Sequence, residues 1–241
     1  MTRGSKDPQL TIDDIHSNPA CISKAITTRS GLELTFRPIQ KTDAAMLGRY
    51  FLGLSEELKA LYAPHPFDQA TADQLCAAVE TDFIRMVGVL LGAQKQEAST
   101  SSARLDDQEQ GASTSSARLE GEGRGEGEII AYFILQLSTP PHEIELYANV
   151  GVAITAEDTC RVAPSVTDAY QNQGVGSPLM QHIAWIARQL GRKNMVLMEG
   201  VYGHNARARH YYQKTGFREV GTFTPTWSAG RPCFDMIMML D

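Results

Sequence analysis

The chain has 241 residues, 42% of them hydrophobic and 21% charged, which is enough for one well-buried core, and its formal net charge is −6. That acidic balance argues against a general nucleic-acid binder, whose phosphate contacts need a basic surface. Four scattered cysteines, Cys21, Cys76, Cys160 and Cys233, show no C-x-x-C spacing, so neither a zinc site nor a disulfide framework is predicted.

Reduced thiols fit a cytoplasmic setting. Residues 1–8 lack the apolar stretch of a signal peptide, and the longest apolar run, near Phe83 to Ala93, is too short and too broken to cross a bilayer, so no membrane contact is expected. Residues 1–30 are polar and without period, and read as a loosely ordered lead-in. One domain should then occupy residues 31–241.

Alternation from Leu32 to Arg37 predicts a half-buried strand. Asp43 is placed to cap a helix running to about Leu54, Ser55 to Tyr62 reads as a short second helix ended by Pro64 and Pro66, and Thr71 to about Thr81 as a third. A strand follows over Phe83 to Leu91. The segment Ala98 to Leu105 then recurs letter for letter as Ala112 to Leu119, ahead of a Gly/Glu-rich stretch. So polar a duplication cannot repay its ordering entropy, and residues 94–127 are expected to form a disordered insertion. Ile129 to Leu137 resumes as a buried strand, which makes the insertion the link of one hairpin. Residues 139–158 carry no clear period, with Val150 to Ile154 as strand or ordered loop. Beyond them the pattern predicts a strand over Cys160 to Thr167, a helix over Ser177 to Leu190, a strand over Asn194 to Val201, a helix over Asn205 to Lys214, and closing strand material.

Between the Cys160 strand and the Ser177 helix lies Gln171-Asn172-Gln173-Gly174-Val175-Gly176-Ser177. Glycines let a main chain approach an anion, and a helix start supplies free N–H groups aided by its dipole. By itself this turn equally describes a plain strand-to-helix corner. A dinucleotide fingerprint is disfavoured because Leu179 holds the third glycine position, and a P-loop because no Gly-Lys-Ser/Thr follows. About thirty residues on comes Asn205-x-x-Ala208-x-x-x-Tyr212-x-x-x-Gly216-Phe217.

The order and spacing of these two motifs resemble the GCN5-related N-acetyltransferase (GNAT) superfamily, from about Leu32 to the C-terminus. The resemblance implies an α/β (α+β) fold, a single domain with a central mixed, mostly antiparallel twisted sheet flanked by helices and splayed at the acyl-CoA site. It implies transfer of an acetyl group from acetyl-CoA, the co-substrate, to a primary amine by direct attack, with no metal. Dimerisation, common in the family, leaves no mark on the sequence.

Site residues follow from the same resemblance. Gln171, Asn172, Gln173, Gly174, Val175, Gly176 and Ser177 correspond to the pyrophosphate turn. Val166, beside Ser165 and Thr167, is the main-chain donor to the thioester oxygen. Tyr212 corresponds to the tyrosine that protonates the departing thiolate, Tyr211 to a packing residue, and Asn205 to a cofactor contact that also caps its helix. Some members place a Glu where this chain has Cys160; Asp158 is the nearest substitute for a base, with Glu157, His204 and His210 as further candidates. Trp227 and Arg231 would wall the acceptor, whose identity is not readable. Two other readings remain at this point, a non-catalytic acyl-CoA sensor and an interaction protein working through its Ser/Ala/Arg-rich insertion.

Overall fold

The computed structural model describes residues 10–62, 64–90 and 127–240. In chain order they form α1 (Ile12–Ser17), β1 (Lys24–Thr27), β2 (Glu33–Pro38), α2 (Ala44–Gly53), α3 (Glu56–Leu61), α4 (Gln69–Ala77), β3 (Phe83–Leu90), β4 (Glu128–Gln136), α5 (Pro141–Asn149), β5 (Thr159–Val166), α6 (Gly176–Gln189), β6 (Asn194–Leu197), β7 (Val201–Tyr202), α7 (Ala206–Thr215), β8 (Arg218–Phe223) and β9 (Cys233–Met239).

The strands make one sheet in the order β1-β2-β3-β4-β5-β6-β9-β7, with β8 also paired to β9. Every pairing is antiparallel except β5 with β6. β3 and β4 sit centrally with apolar residues on both faces, as a doubly covered sheet requires. On one face Phe36, Phe133, Val162 and Leu197 pack against Leu179, Ile183 and Ile186 of α6. The other face buries Val87, Tyr132, Ile134 and Ala163 against Leu47 and Phe51 of α2 and Ala72 and Cys76 of α4. A smaller cluster, Tyr147, Ile154, Val196 and Ile237, lies under α5. No helix is long and apolar enough to cross a membrane among the described residues.

Several boundaries differ from the sequence reading. The lead-in expected to be loose is ordered from Leu10: Thr11 and Asp14 cap α1 reciprocally, and Ile15, Ile22 and Ile26 enter the core. Elements of six and four residues are too short to show a period. Asp43 precedes α2 as expected, but its carboxylate accepts from Gln40 N–H at 2.7 Å and from Arg37 rather than from a helical N–H. Ser55 and Asp68 do cap α3 and α4. Residues 141–149, unassigned by pattern, are helical, and the strand expected over Asn194 to Val201 is broken into β6 and β7. Of the expected insertion, residues 94–126 lie outside the described set.

That break shapes the site. β5 and β6 pair from Thr159 to Val162, and Met198 N–H donating to Val162 O at 3.0 Å follows as a further rung. Glu199 and Gly200 then take left-handed backbone, φ 59° and 69°, and the chain turns off to β7 while β5 runs on to Val166. Position 200 requires glycine, because a Cβ there would stand 2.7 Å from Phe234 O. The two parallel strands therefore splay.

Candidate functional site

The splay opens into a cleft of about 1480 Å³ between β5, the start of α6, the β6–β7 turn, α7 and the end of α3. Val166, the turn from Gln171 to Ser177, Asn205 and Tyr212 all line it, so the motifs separated by about thirty residues meet across one cavity.

Val166 lies at the open edge of β5. Thr167 N–H donates to Ile130 O at 3.0 Å, and alternate residues of a strand point their amides to opposite edges, so Val166 turns its N–H and C=O away from β4 towards the gap. The Val166 C=O accepts from Gln171 Nε2 at 3.0 Å. Pro164, on the same edge, has no N–H to offer a partner strand. Ser165 points to the other side, where its hydroxyl meets Tyr50 Oη at 2.8 Å.

The turn is built for close approach. Asn172 and Gly174 are left-handed, φ 60° and 79°. Gln171 and Gln173 spend their side-chain amides on Val166 O and Ala169 O, tying the turn to its own base. Val175 is buried and pins the turn to the core. No side chain caps the start of α6 and no acid lies in its first turn, so its leading N–H groups form an anion site of the kind a helix dipole favours. Gly176 has a second reason to be glycine: a Cβ would stand 3.0 Å from the Tyr211 ring, whose hydroxyl donates to Gly176 O at 3.0 Å. Arg29, from the supposed lead-in, packs beside Gly174 and lines the cleft with Arg207, His210 and Lys214. A turn of this shape with cations around it fits a diphosphate.

α7 begins at Asn205, whose Oδ1 accepts from Ala208 N–H at 3.1 Å, and ends at Gly216 with φ 110°. Tyr212 lies between Tyr211 and Phe217, ring centroids 5.2 and 5.5 Å away. Burial drives the Tyr212 phenol well above its ordinary pKa, so it stays protonated and can donate.

The expected base is not brought to the cleft. Asp158 precedes β5, at the end opposite Val166, where its Oδ1 accepts from Thr155 N–H and Thr159 Oγ1 at 3.2 and 3.0 Å. Burial works against its ionised form but is outweighed by those hydrogen bonds and by Lys193, so its pKa falls below the usual range and it is a poor base as well as a distant one. Cys160 is buried and its thiol, which donates to Asn194 O, is pushed up to about 12 by burial. Arg231 lies over the Tyr202 ring at 5.4 Å, and the side chain of Trp227 is outside the described set.

Pattern reading missed the polar floor of the splay. Arg161 binds Glu143 through Nε, at 2.7 Å, and through Nη2, reaches Gln136 Oε1 at 2.7 Å, and lies 3.4 Å from Glu199 Oε1. These residues come from four elements and share no spacing. The one available signal was a charged residue, Arg161, inside an otherwise uncharged strand.

Residues 125–219 match the family model of the acetyltransferase (GNAT) domain. No curated protein sequence matches the chain. Among solved structures, the GNAT domain of S. lividans PAT is 19% identical with a TM-score of 0.59, covering 92% of this chain and 98% of its own. The ribosomal-protein-S5-alanine acetyltransferase from Vibrio fischeri is 14% identical, TM-score 0.59, covering 90% and 97%. Mycobacterium smegmatis RimJ, solved in complex with CoA-disulfide, is 12% identical, TM-score 0.58, covering 90% and 86%. At these identities the likeness is one of fold.

Proposed function

From a chain that carries a GNAT domain in sequence and in fold, we propose an enzyme that moves an acetyl group from acetyl-CoA to a primary amine by direct attack. The observation that carries this reading is the convergence on one cleft of the uncapped α6 start, the outward N–H of Val166 and the protonated phenol of Tyr212.

The turn Asn172 to Ser177, with Arg29 and Lys214 nearby, holds the diphosphate, and Asn205 borders the arm leading inward. Val166 N–H donates to the thioester oxygen as negative charge develops there; one fixed donor of this kind is worth on the order of 10²-fold in rate. The amine nitrogen bonds to the carbonyl carbon, the C–S bond breaks, and Tyr212 Oη–H gives its proton to the departing thiolate. The proton lost by the amine leaves through the cleft and restores the phenol.

Tyr212→Phe tests the assignment. Steady-state turnover is expected to fall about 10²-fold or more while the acetyl-CoA Kd stays unchanged; an unchanged kcat would remove Tyr212 from the mechanism. The position of Asp158 outside the cleft favours one alternative, an acyl-CoA-binding module without turnover. Product formation by purified protein with any amine disposes of it.

A further inference from the structure

Met198 N–H donating to Val162 O is the last rung between β5 and β6 among the described residues. Beyond it the end of β5, from Ala163 to Val166, keeps β4 on one side and has the cleft on the other. The helical wall formed by α2 and α3 bonds to that end at three heights. Tyr62, which follows α3, donates its hydroxyl to Ala163 O at 3.0 Å, Tyr50 of α2 meets Ser165 Oγ at 2.8 Å, and the N–H of Ser55, the cap of α3, donates to Asp168 Oδ2 at 3.3 Å.

The middle contact is the one next to the donor. Ser165 supplies the carbonyl half of the planar peptide whose other half is the Val166 N–H, so whatever fixes Ser165 fixes the direction of that N–H. Its side chain is held twice: the Ser165 hydroxyl donates to Tyr132 O at 3.2 Å, and with that proton used its oxygen accepts from the Tyr50 hydroxyl. Burial drives the Tyr50 phenol far above its ordinary pKa, so it stays a donor near neutral pH. Packing does not explain the pair. Tyr50 belongs to the apolar cluster of Leu47, Phe51 and Ile134, where a phenylalanine would fill the same space, and both Tyr50 and Ser165 are buried, 3% and 4% exposed. Two polar groups that satisfy each other in such a place add little stability over two apolar groups of the same shape, but a hydrogen bond fixes a direction, which dispersion contacts do not.

We propose that Tyr50 is a positioning residue for acetyl transfer: acting through Ser165, it holds the Ser165–Val166 peptide so that the Val166 N–H points at the thioester oxygen. The proposal rests on the transfer reading, which puts that oxygen in front of Val166. Tyr62 and Ser55 grip the strand on either side of this point. Alignment of this kind matters because a misplacement of about 1 Å can cost on the order of 10²-fold in rate.

Difference infrared spectroscopy of acetyl-CoA labelled with carbon-13 at the thioester carbonyl, bound to the full chain, reads the donor directly, because a hydrogen bond to that oxygen lowers the C=O stretching frequency. In the parent the band is expected below its position in water. Tyr50→Phe and Ser165→Ala should each return it most of the way to that position, and the double variant no further than either alone, since the two side chains act as one unit. The acetyl-CoA Kd should stay within about twofold of the parent value, and the double variant, which loses both polar partners together, should unfold near the parent Tm. A band that keeps the parent frequency in both single variants, with or without a lower Tm, or two losses that add, would overturn the role of Tyr50. A parent band at the water position, or no binding of acetyl-CoA, would sink the transfer reading and this proposal with it.

Discussion

Asp235 carries a cost that can be measured without any ligand. Burial, and after it the charge of Glu143, raises its pKa from 3.8 to about 6. A carboxylate whose folded pKa is raised adds stability when protonated; that contribution is complete below about pH 4 and is lost as pH rises through 6. Asparagine cannot ionise, so Asp235→Asn should gain on the order of 1–3 kcal/mol over the parent at pH 7–8 and nothing near pH 4. Thermal unfolding of both proteins from pH 4 to 8 checks this, and a Tm difference independent of pH would contradict it. Legibility varied among single residues for a physical reason. Gly174 and Asn205 shape their own backbone turn and helix start, which local sequence can predict. Gly176 was found for one reason and has another, the Tyr211 ring packed against it from α7. Asp235, Glu199 and Arg29 take their meaning from neighbours on other elements, which no spacing encodes.

The wall of α3, the turn after it and α4 is fastened to the sheet by a buried chain of hydrogen bonds. His65 Nδ1–H donates to Pro66 O at 2.7 Å, and Nε2 accepts from the Tyr132 hydroxyl at 3.2 Å. That hydroxyl in turn accepts from Arg85 Nη1 at 3.0 Å, and Arg85 is held by Glu80. Burial, then opposed by the Pro66 bond and aided by the charge of Arg85, keeps His65 below its ordinary pKa and neutral, as an acceptor must be. Tyr132→Phe strands a guanidinium N–H and an imidazole nitrogen, a loss of about 1–3 kcal/mol. For a chain of this size that is a Tm decrease of several kelvin, and an unchanged Tm would show the chain to be dispensable. Elements with a clean apolar period, β3, β4 and α6, were readable. α5 was not, because its buried face mixes Glu143 with Tyr147, an ion pair that breaks the pattern. The break between β6 and β7 depends on Phe234 O standing over Gly200, a contact from another strand.

At the scale of the molecule, one sheet holds both halves of the cleft, and the motifs needed to foresee it lie on either side of β6. Leu90 pairs with Glu128, so the ends of the segment joining β3 and β4 lie side by side. Replacing residues 92–126 by a short turn should therefore leave Tm and CoA affinity unchanged within error, since loop closure depends only weakly on length; loss of either would give that segment a structural or functional part. The fold class was legible because it rests on contiguous motifs, and so were the turn and the helix start that line one half of the cleft. The other half of the cleft was not, because Arg161 and Glu199 reach it from separate elements. The proposed transfer requires that the turn at Gln171 to Ser177 and α7 together hold coenzyme A. Isothermal titration of the purified chain with acetyl-CoA, and separately with desacetyl CoA, tests it most directly: micromolar binding of both is expected, and no detectable binding of either would contradict it.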